Sequence, residues 1–202
     1  MNIEILADAE SVAQRAASLI TDAVREAIAI RGRFVMAVSG GHTPWIMLRA
    51  LADAQIPWRG VHVIQVDERV APAGHTDRNL PHLKESLLAH ARLPPEQLYA
   101  MPVESPDLEA GATRYAETTR EIAGTPPVID LVHLGLGPDG HTASLVPGDA
   151  VLDVENAEAL TGPYQGRRDA VSRFGQHVQP QLLAAPAAFH SPGRALGSGY
   201  SR

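Results

Sequence analysis

The sequence predicts an α/β protein with a mostly parallel sheet and helices on both faces. Two observations carry this. Short apolar runs of strand length alternate with longer segments of helical apolar spacing, the pattern of βαβ units. Three of the runs also end in glycine-rich or charged loops, which a parallel sheet gathers along one edge. A length of 202 residues fits one domain with a sizeable core.

The elements follow in order. Ile3 to Leu6 reads as a short first strand. Ala9 to Ile30 has helical spacing through Val12, Ala16, Leu19, Ile20, Val24 and Ile28, with Gly32 as a stop. Arg33 to Val38 is a buried strand ending in Ser39-Gly40-Gly41-His42-Thr43-Pro44. Pro44 suits the first turn of a helix continuing from Trp45 to Ala54. Val61 to Val66 is a further strand ending in Asp67-Glu68-Arg69. A polar loop leads to a helix near Leu80 to Ala91. Leu98 to Met101 reads as a short strand and Leu108 to Ala123 as a helix. Val128 to Leu134 is another buried strand, and it runs into Gly135-Leu136-Gly137-Pro138-Asp139-Gly140-His141-Thr142-Ala143-Ser144-Leu145.

Composition narrows the function classes. The net charge of −6 argues against nonspecific binding to nucleic acid or acidic membranes. Lys84 is the only lysine, so the basic charge is almost all arginine, which suits bidentate grip on phosphate or carboxylate. The absence of cysteine excludes disulfides, thiolate metal sites and a cysteine nucleophile. No apolar run approaches the roughly 18 residues of a membrane span. The N-terminus lacks a basic and apolar leader, so a cytoplasmic protein is the default expectation. The histidines show no metal-ligand spacing, and no metal or cofactor is expected.

The loops carry the chemistry. Ser39, Gly40, Gly41 and Thr43 lie between a strand and a helix, where exposed backbone N–H groups, two hydroxyls and the helix dipole make a phosphate cradle. An ordinary capped glycine turn is the plainer reading. His42 is given no role. Arg69 can grip a phosphate or carboxylate. Asp67 can hold Arg69 or bind a sugar hydroxyl, and a surface ion pair is the plain alternative. His75 and Asn79 follow in the next loop, either as ligands or as solvated loop residues and caps.

His141 is suited to moving a proton near neutral pH, with Asp139 as its orienter or one step behind it. Thr142 and Ser144 read as caps of a short helix. His133 reads as a satisfied core residue. Gly135, Gly137 and Gly140 also match a dinucleotide-binding Gly-x-Gly-x-x-Gly, but Pro147-Gly148 interrupts the long helix that pattern needs. No serine sits in a Gly-x-Ser-x-Gly elbow.

Together these loops resemble the 6-phosphogluconolactonase family, whose motifs are Ser-Gly-Gly-x-Thr-Pro, Asp-Glu-Arg followed by His-x-x-x-Asn, and Gly-x-Gly-x-Asp-Gly-His-Thr-Ala-Ser-Leu. Here they stand as Ser39 to Pro44, Asp67 to Arg69 with His75 and Asn79, and Gly135 to Leu145, over roughly Met1 to Arg168. The resemblance implies a Rossmann-like fold of sugar-phosphate isomerase type. It also implies metal-independent hydrolysis of 6-phospho-D-glucono-1,5-lactone to 6-phosphogluconate in the oxidative pentose phosphate pathway. His141 is then the general base, with Asp139 and Arg69 at the reacting centre. Ser39, Gly40, Gly41, Thr43, Asp67, His75, Asn79 and Arg168 bind the substrate. The expected partner is a sugar phosphate lactone, with the chain a monomer or homodimer.

Glucosamine-6-phosphate deaminase is the alternative enzyme. Its Gly-His-Ile-Ala-Phe-Asn differs from Gly140 to Leu145, and it lacks arginine after Asp-Glu. From Asp169 to Arg202 the chain is rich in proline and glycine, with no clear strand, and departs from the family pattern. The expectation is a lactonase-like domain over 1–168 and a divergent, poorly ordered tail over 169–202, as a truncated or frameshifted gene would give. An inactive fragment is the third reading.

Overall fold

The structure is a computed structural model that describes residues 3–137, 139–153, 158–160, 169–172 and 182–184. Helix α1 spans Ala9–Arg31. Asp8 caps its start by accepting from the Ser11 N–H at 2.7 Å, and Gly32 ends it in the left-handed conformation predicted for a helix stop. Strand β1, Phe34–Val38, leads through the glycine loop to α2, His42–Ala52. Strands β2, Val61–Gln65, and β3, Asp67–Arg69, follow. Helix α3, Asn79–Leu83, runs on into a π-helical turn over Lys84–Leu88. Then come β4 (Leu98–Tyr99), α4 (Leu108–Ala123), β5 (Leu131–Leu134), β6 (Glu158–Leu160), β7 (Asp169–Ser172) and β8 (Leu182–Ala184).

The main sheet has the order β4-β2-β1-β5-β8, and every pairing in it is parallel. Along β1, side chains alternate between two cores, as a strand period of two requires. Phe34, Met36 and Val38 join α1, α2 and the π turn, through residues such as Ile20, Val24, Leu48 and Leu87. Val35 and Ala37 join Ile64, Val132 and α4 through Tyr115 and Ala123. Helices therefore cover both faces, which is why β1 and β2 read as almost unbroken apolar runs. Each fully buried Leu, Ile or Val contributes roughly 1.5–3 kcal/mol.

Four sequence expectations need correction. Ile3 to Leu6 forms no strand; Ile3 and Ile5 project into solvent. The third strand stops at Gln65. Its continuation, β3, leaves the parallel sheet and pairs antiparallel with β7, which pairs antiparallel with β6. Strands β7 and β8 lie beyond residue 168, where the sequence showed no clear strand. There each finds a partner, β3 or β5, that local composition cannot reveal. No helix starts at Thr142 or Ser144; Thr142–Leu145 is a turn closed by a bridge. Among the described residues, no helix is long and apolar enough to cross a membrane.

His133 departs from expectation differently. It is buried as predicted, on the α1/α2 face, but neither ring nitrogen has a hydrogen-bond partner among the described residues. Burial disfavours the charged ring and, outweighing an opposing backbone contribution, lowers its pKa to about 4. An unfolded chain takes up that proton near pH 6.5. Stability from the neutral ring is therefore complete above about pH 6.5 and is lost as the pH falls toward 4, by roughly 3 kcal/mol. Thermal melts of the parent and of His133→Leu between pH 7 and 4 will show a shallower acid decline in the variant. Parallel declines would exclude His133 as the source.

Candidate active site

The carboxyl ends of β1 and β5, with β3 beside them, surround a cavity of about 290 Å³. One wall is the loop from Ser39 to Pro44, another is Asp67 and Arg69, and a third is Gly135 to Gly137 with His141, Ala143 and Ser144. Asp169 of β7 completes it. A larger open groove of about 520 Å³ lies between α1, α2 and the π turn, beside Trp45, Arg49, His82 and Glu85. It contains none of the strand-end loops, so the chemistry belongs to the smaller cavity.

The glycine loop presents donors. Gly41, at a φ of +120° that an L side chain rarely adopts, is the N-cap of α2, and no side chain among the described residues caps that helix. The first-turn N–H groups thus face the cavity end without an internal acceptor. The Ser39 hydroxyl, in a residue only 5% exposed, also lacks a hydrogen-bond partner among the described residues. Buried donors left this way are costly unless a ligand accepts from them. An anion at the helix start would serve both.

Behind this loop sits Asn79. A Cβ on Gly40 would overlap the Asn79 carboxamide, so only glycine lets the two segments meet. Asn79 Nδ2 donates to the Asp67 carbonyl at 3.0 Å, and its Oδ1 accepts from Arg69 Nη1. Arg69 is thus aimed by Asn79, and no ion pair joins it to Asp67 within 4.0 Å among the described residues.

Glu68, which the sequence reading passed over, organises this corner. It is fully buried, and its carboxylate accepts from the backbone N–H groups of Arg69, Asn79 and Leu80 at 2.7–2.8 Å and from Gln65 Nε2 at 3.0 Å. Arg78 Nε lies 3.3 Å away as an ion-pair partner, outside hydrogen-bond geometry, while Arg78 Nη1 donates to Glu104 and to the Ala71 carbonyl.

His141 Nδ1 lies 2.5 Å from Asp139 Oδ1, so the direct pairing left open by the sequence is made. The same oxygen accepts from the His141 N–H at 3.2 Å. With Nδ1 donating to the carboxylate, Nε2 is the basic nitrogen. Gly137 donates to the His141 carbonyl at 2.8 Å, and a Cβ on Gly137 would overlap the imidazole.

Thr142 and Ser144, expected as caps, do other things. Thr142 Oγ1 donates to the Gly135 carbonyl at 2.7 Å. Ser144 Oγ lies 2.6 Å from Asp67 Oδ2 and 3.0 Å from Asp169 Oδ2. Ala143 and Ser144 are both left-handed, at φ +50° and +61°, a cost accepted where the fold must aim a side chain. Burial pushes the Asp67 carboxyl above the usual carboxylate range; Arg69 and the Ser144 hydrogen bond oppose this, and the Asp169 and Glu68 charges add to it.

The structure therefore gathers Ser39, Gly40, Gly41, Thr43, Asp67, Arg69 and His141 at one cavity, with Asn79 and Asp139 directly behind. It does not bring His75 there: its ring accepts from the Asp77 N–H at 3.2 Å in an exposed loop. Arg168 lies outside the described residues.

Fold and site together define a doubly wound α/β protein with an anion cradle and a carboxylate–histidine pair at the strand ends. A family model described as Glucosamine-6-phosphate isomerases/6-phosphogluconolactonase matches residues 7–174, and the chain belongs to that family. A 6-phosphogluconolactonase of Synechocystis sp. is 34% identical over 169 residues, covering 82% of this chain and 70% of that protein. A 6-phosphogluconolactonase structure from Shewanella baltica superposes with a TM-score of 0.75 at 26% identity, over 89% of this chain and 78% of that one. A monomeric glucosamine-6-phosphate deaminase gives a TM-score of 0.74 at 16% identity, over 86% and 76%, and shows the common fold.

Proposed function

We propose that this chain hydrolyses 6-phospho-D-glucono-1,5-lactone to 6-phosphogluconate, the hydrolytic step of the oxidative pentose phosphate pathway, in the cytoplasm and without a metal. The observation that carries the reading is the placement on one cavity of the Asp139–His141 pair and of the Ser39 hydroxyl, which has no partner among the described residues. The phosphate sits on Ser39, Gly40, Gly41 and Thr43 at the uncapped start of α2, which fixes the ring for attack. His141 Nε2 takes a proton from water as the water oxygen adds to the lactone carbonyl, and Asp139 stabilises the imidazolium. Arg69, aimed by Asn79, or backbone N–H groups of the glycine loops stabilise the oxyanion. The names of the relatives agree with this substrate.

The test is hydrolysis of freshly generated lactone above its spontaneous rate, paired with thermal unfolding in the presence of 6-phosphogluconate. We expect turnover, and a rise in melting temperature as product binds the folded state. Release of ammonia from glucosamine-6-phosphate without lactone turnover would favour the deaminase reading. A folded chain with neither activity would favour the inactive one.

A further inference from the structure

Ser144 stands between two carboxyl groups, and a hydroxyl has one proton to donate. Its oxygen lies within hydrogen-bond distance of both Asp67 Oδ2, at 2.6 Å, and Asp169 Oδ2, at 3.0 Å. If both carboxyls were ionised, only one contact could be a full hydrogen bond, and the other would set a lone pair against a carboxylate. One proton on the pair resolves this: a protonated carboxyl donates to Ser144 Oγ, and Ser144 donates to the remaining carboxylate. Both acids are 5% exposed, and both line the cavity with Ser144. The left-handed backbone at Ala143 and Ser144 holds the hydroxyl in that gap.

We propose that Asp67 and Asp169 share a single proton across the Ser144 hydroxyl, and that this relay protonates the ring oxygen as it leaves. The assignment rests on the lactonase reading above and supplies the acid that reading lacks. Burial and the Asp169 and Glu68 charges favour the proton on Asp67, while Arg69 on the same strand and the hydrogen bond donated by Ser144 oppose it; Asn79 and His141 are further polar neighbours among the described residues.

The step balances as follows. Water oxygen bonds to the carbonyl carbon, and one water proton goes to His141. The carbon–ring-oxygen bond breaks, its electron pair stays on the oxygen, and that oxygen takes the Ser144 proton. Ser144 takes the Asp67 proton. The product acid then loses its proton, which restores Asp67, and His141 releases its own to solvent.

The test compares pH profiles of kcat/KM for the parent, Ser144→Ala, Asp67→Asn and Asp169→Asn, with an infrared search for a carboxylic-acid carbonyl band at neutral pH. The parent is expected to show a bell, with the descending limb reporting the relay. Ser144→Ala should lower kcat about 100-fold with KM little changed, as loss of a general acid does. Asp67→Asn should abolish the descending limb and the infrared band. Asp169→Asn removes a like charge, so the descending limb should move to lower pH.

An active parent whose descending limb stays in place in Asp67→Asn and Asp169→Asn overturns the relay alone. So does a Ser144→Ala variant that raises KM and keeps kcat, since that marks a hydroxyl contact to the sugar. A folded parent without lactonase activity overturns the lactonase reading and the relay's catalytic role together; absence of the infrared band from that chain would overturn the shared proton as well.

Discussion

Replacing Glu68 by alanine is expected to destabilise the fold by about 3–5 kcal/mol, the range for removing one partner of a buried ion pair. The cause is what remains behind. Arg78, only 2% exposed, keeps its charge and its pairing with the half-exposed Glu104 but loses the buried Glu68 carboxylate. The N–H groups of Asn79 and Leu80 at the start of α3 lose the side chain that accepts from them, as does the N–H of Arg69. Gln65 loses its Nε2 contact but still receives the Met101 N–H at 2.9 Å, and Tyr115 still grips its backbone. The break should therefore concentrate at β3 and α3 and leave the parallel sheet intact. Chemical denaturation measures the loss, and Glu68→Gln, which keeps acceptor capacity, should cost less. Equal losses from Ala and Gln would show that shape rather than hydrogen bonding is at stake.

His141→Ala should lower kcat for the lactone by about 10²–10⁴-fold, the contribution of a positioned general base. Gly137→Ala should produce a loss of similar order although the imidazole is still present. The new methyl group occupies the space of the His141 ring, and the ring cannot keep both its place and its bond to Asp139. Exogenous imidazole separates the two: it should partly restore His141→Ala, where a void is left, and fail with Gly137→Ala. A His141→Ala enzyme with undiminished kcat would remove His141 from the mechanism.

Much of this fold was legible in the sequence. The period of α1, its stop at Gly32, the double-sided burial of β1 and the gathering of loops at the strand ends follow from local pattern. What stayed hidden depended on partners far along the chain. Asp67-Glu68-Arg69 looks like a solvated charge run, yet Glu68 is fully buried because the loop before α3 folds back onto it. Ser144 looks like a cap because serine often is one; only the approach of β3 and β7 turns it toward two carboxyls. His133 shows that an apolar run predicts burial but not satisfaction. Strand β7 has few of the residues that mark strands, and it forms because β3 offers an unpaired edge.

The pairing of Arg69 with Asp169 joins segments separated by about half the chain. During synthesis, the N-terminal stretch through β5 can emerge and bury most of its two cores before β7 adds Ala170. For that interval the cavity has three walls, and the buried carboxyl of Asp67 faces a gap where its neighbour will later dock. Asp169 thus joins the cavity only after strands β1 to β5, which surround or support it, have emerged, an order set by how the ribosome delivers the pieces.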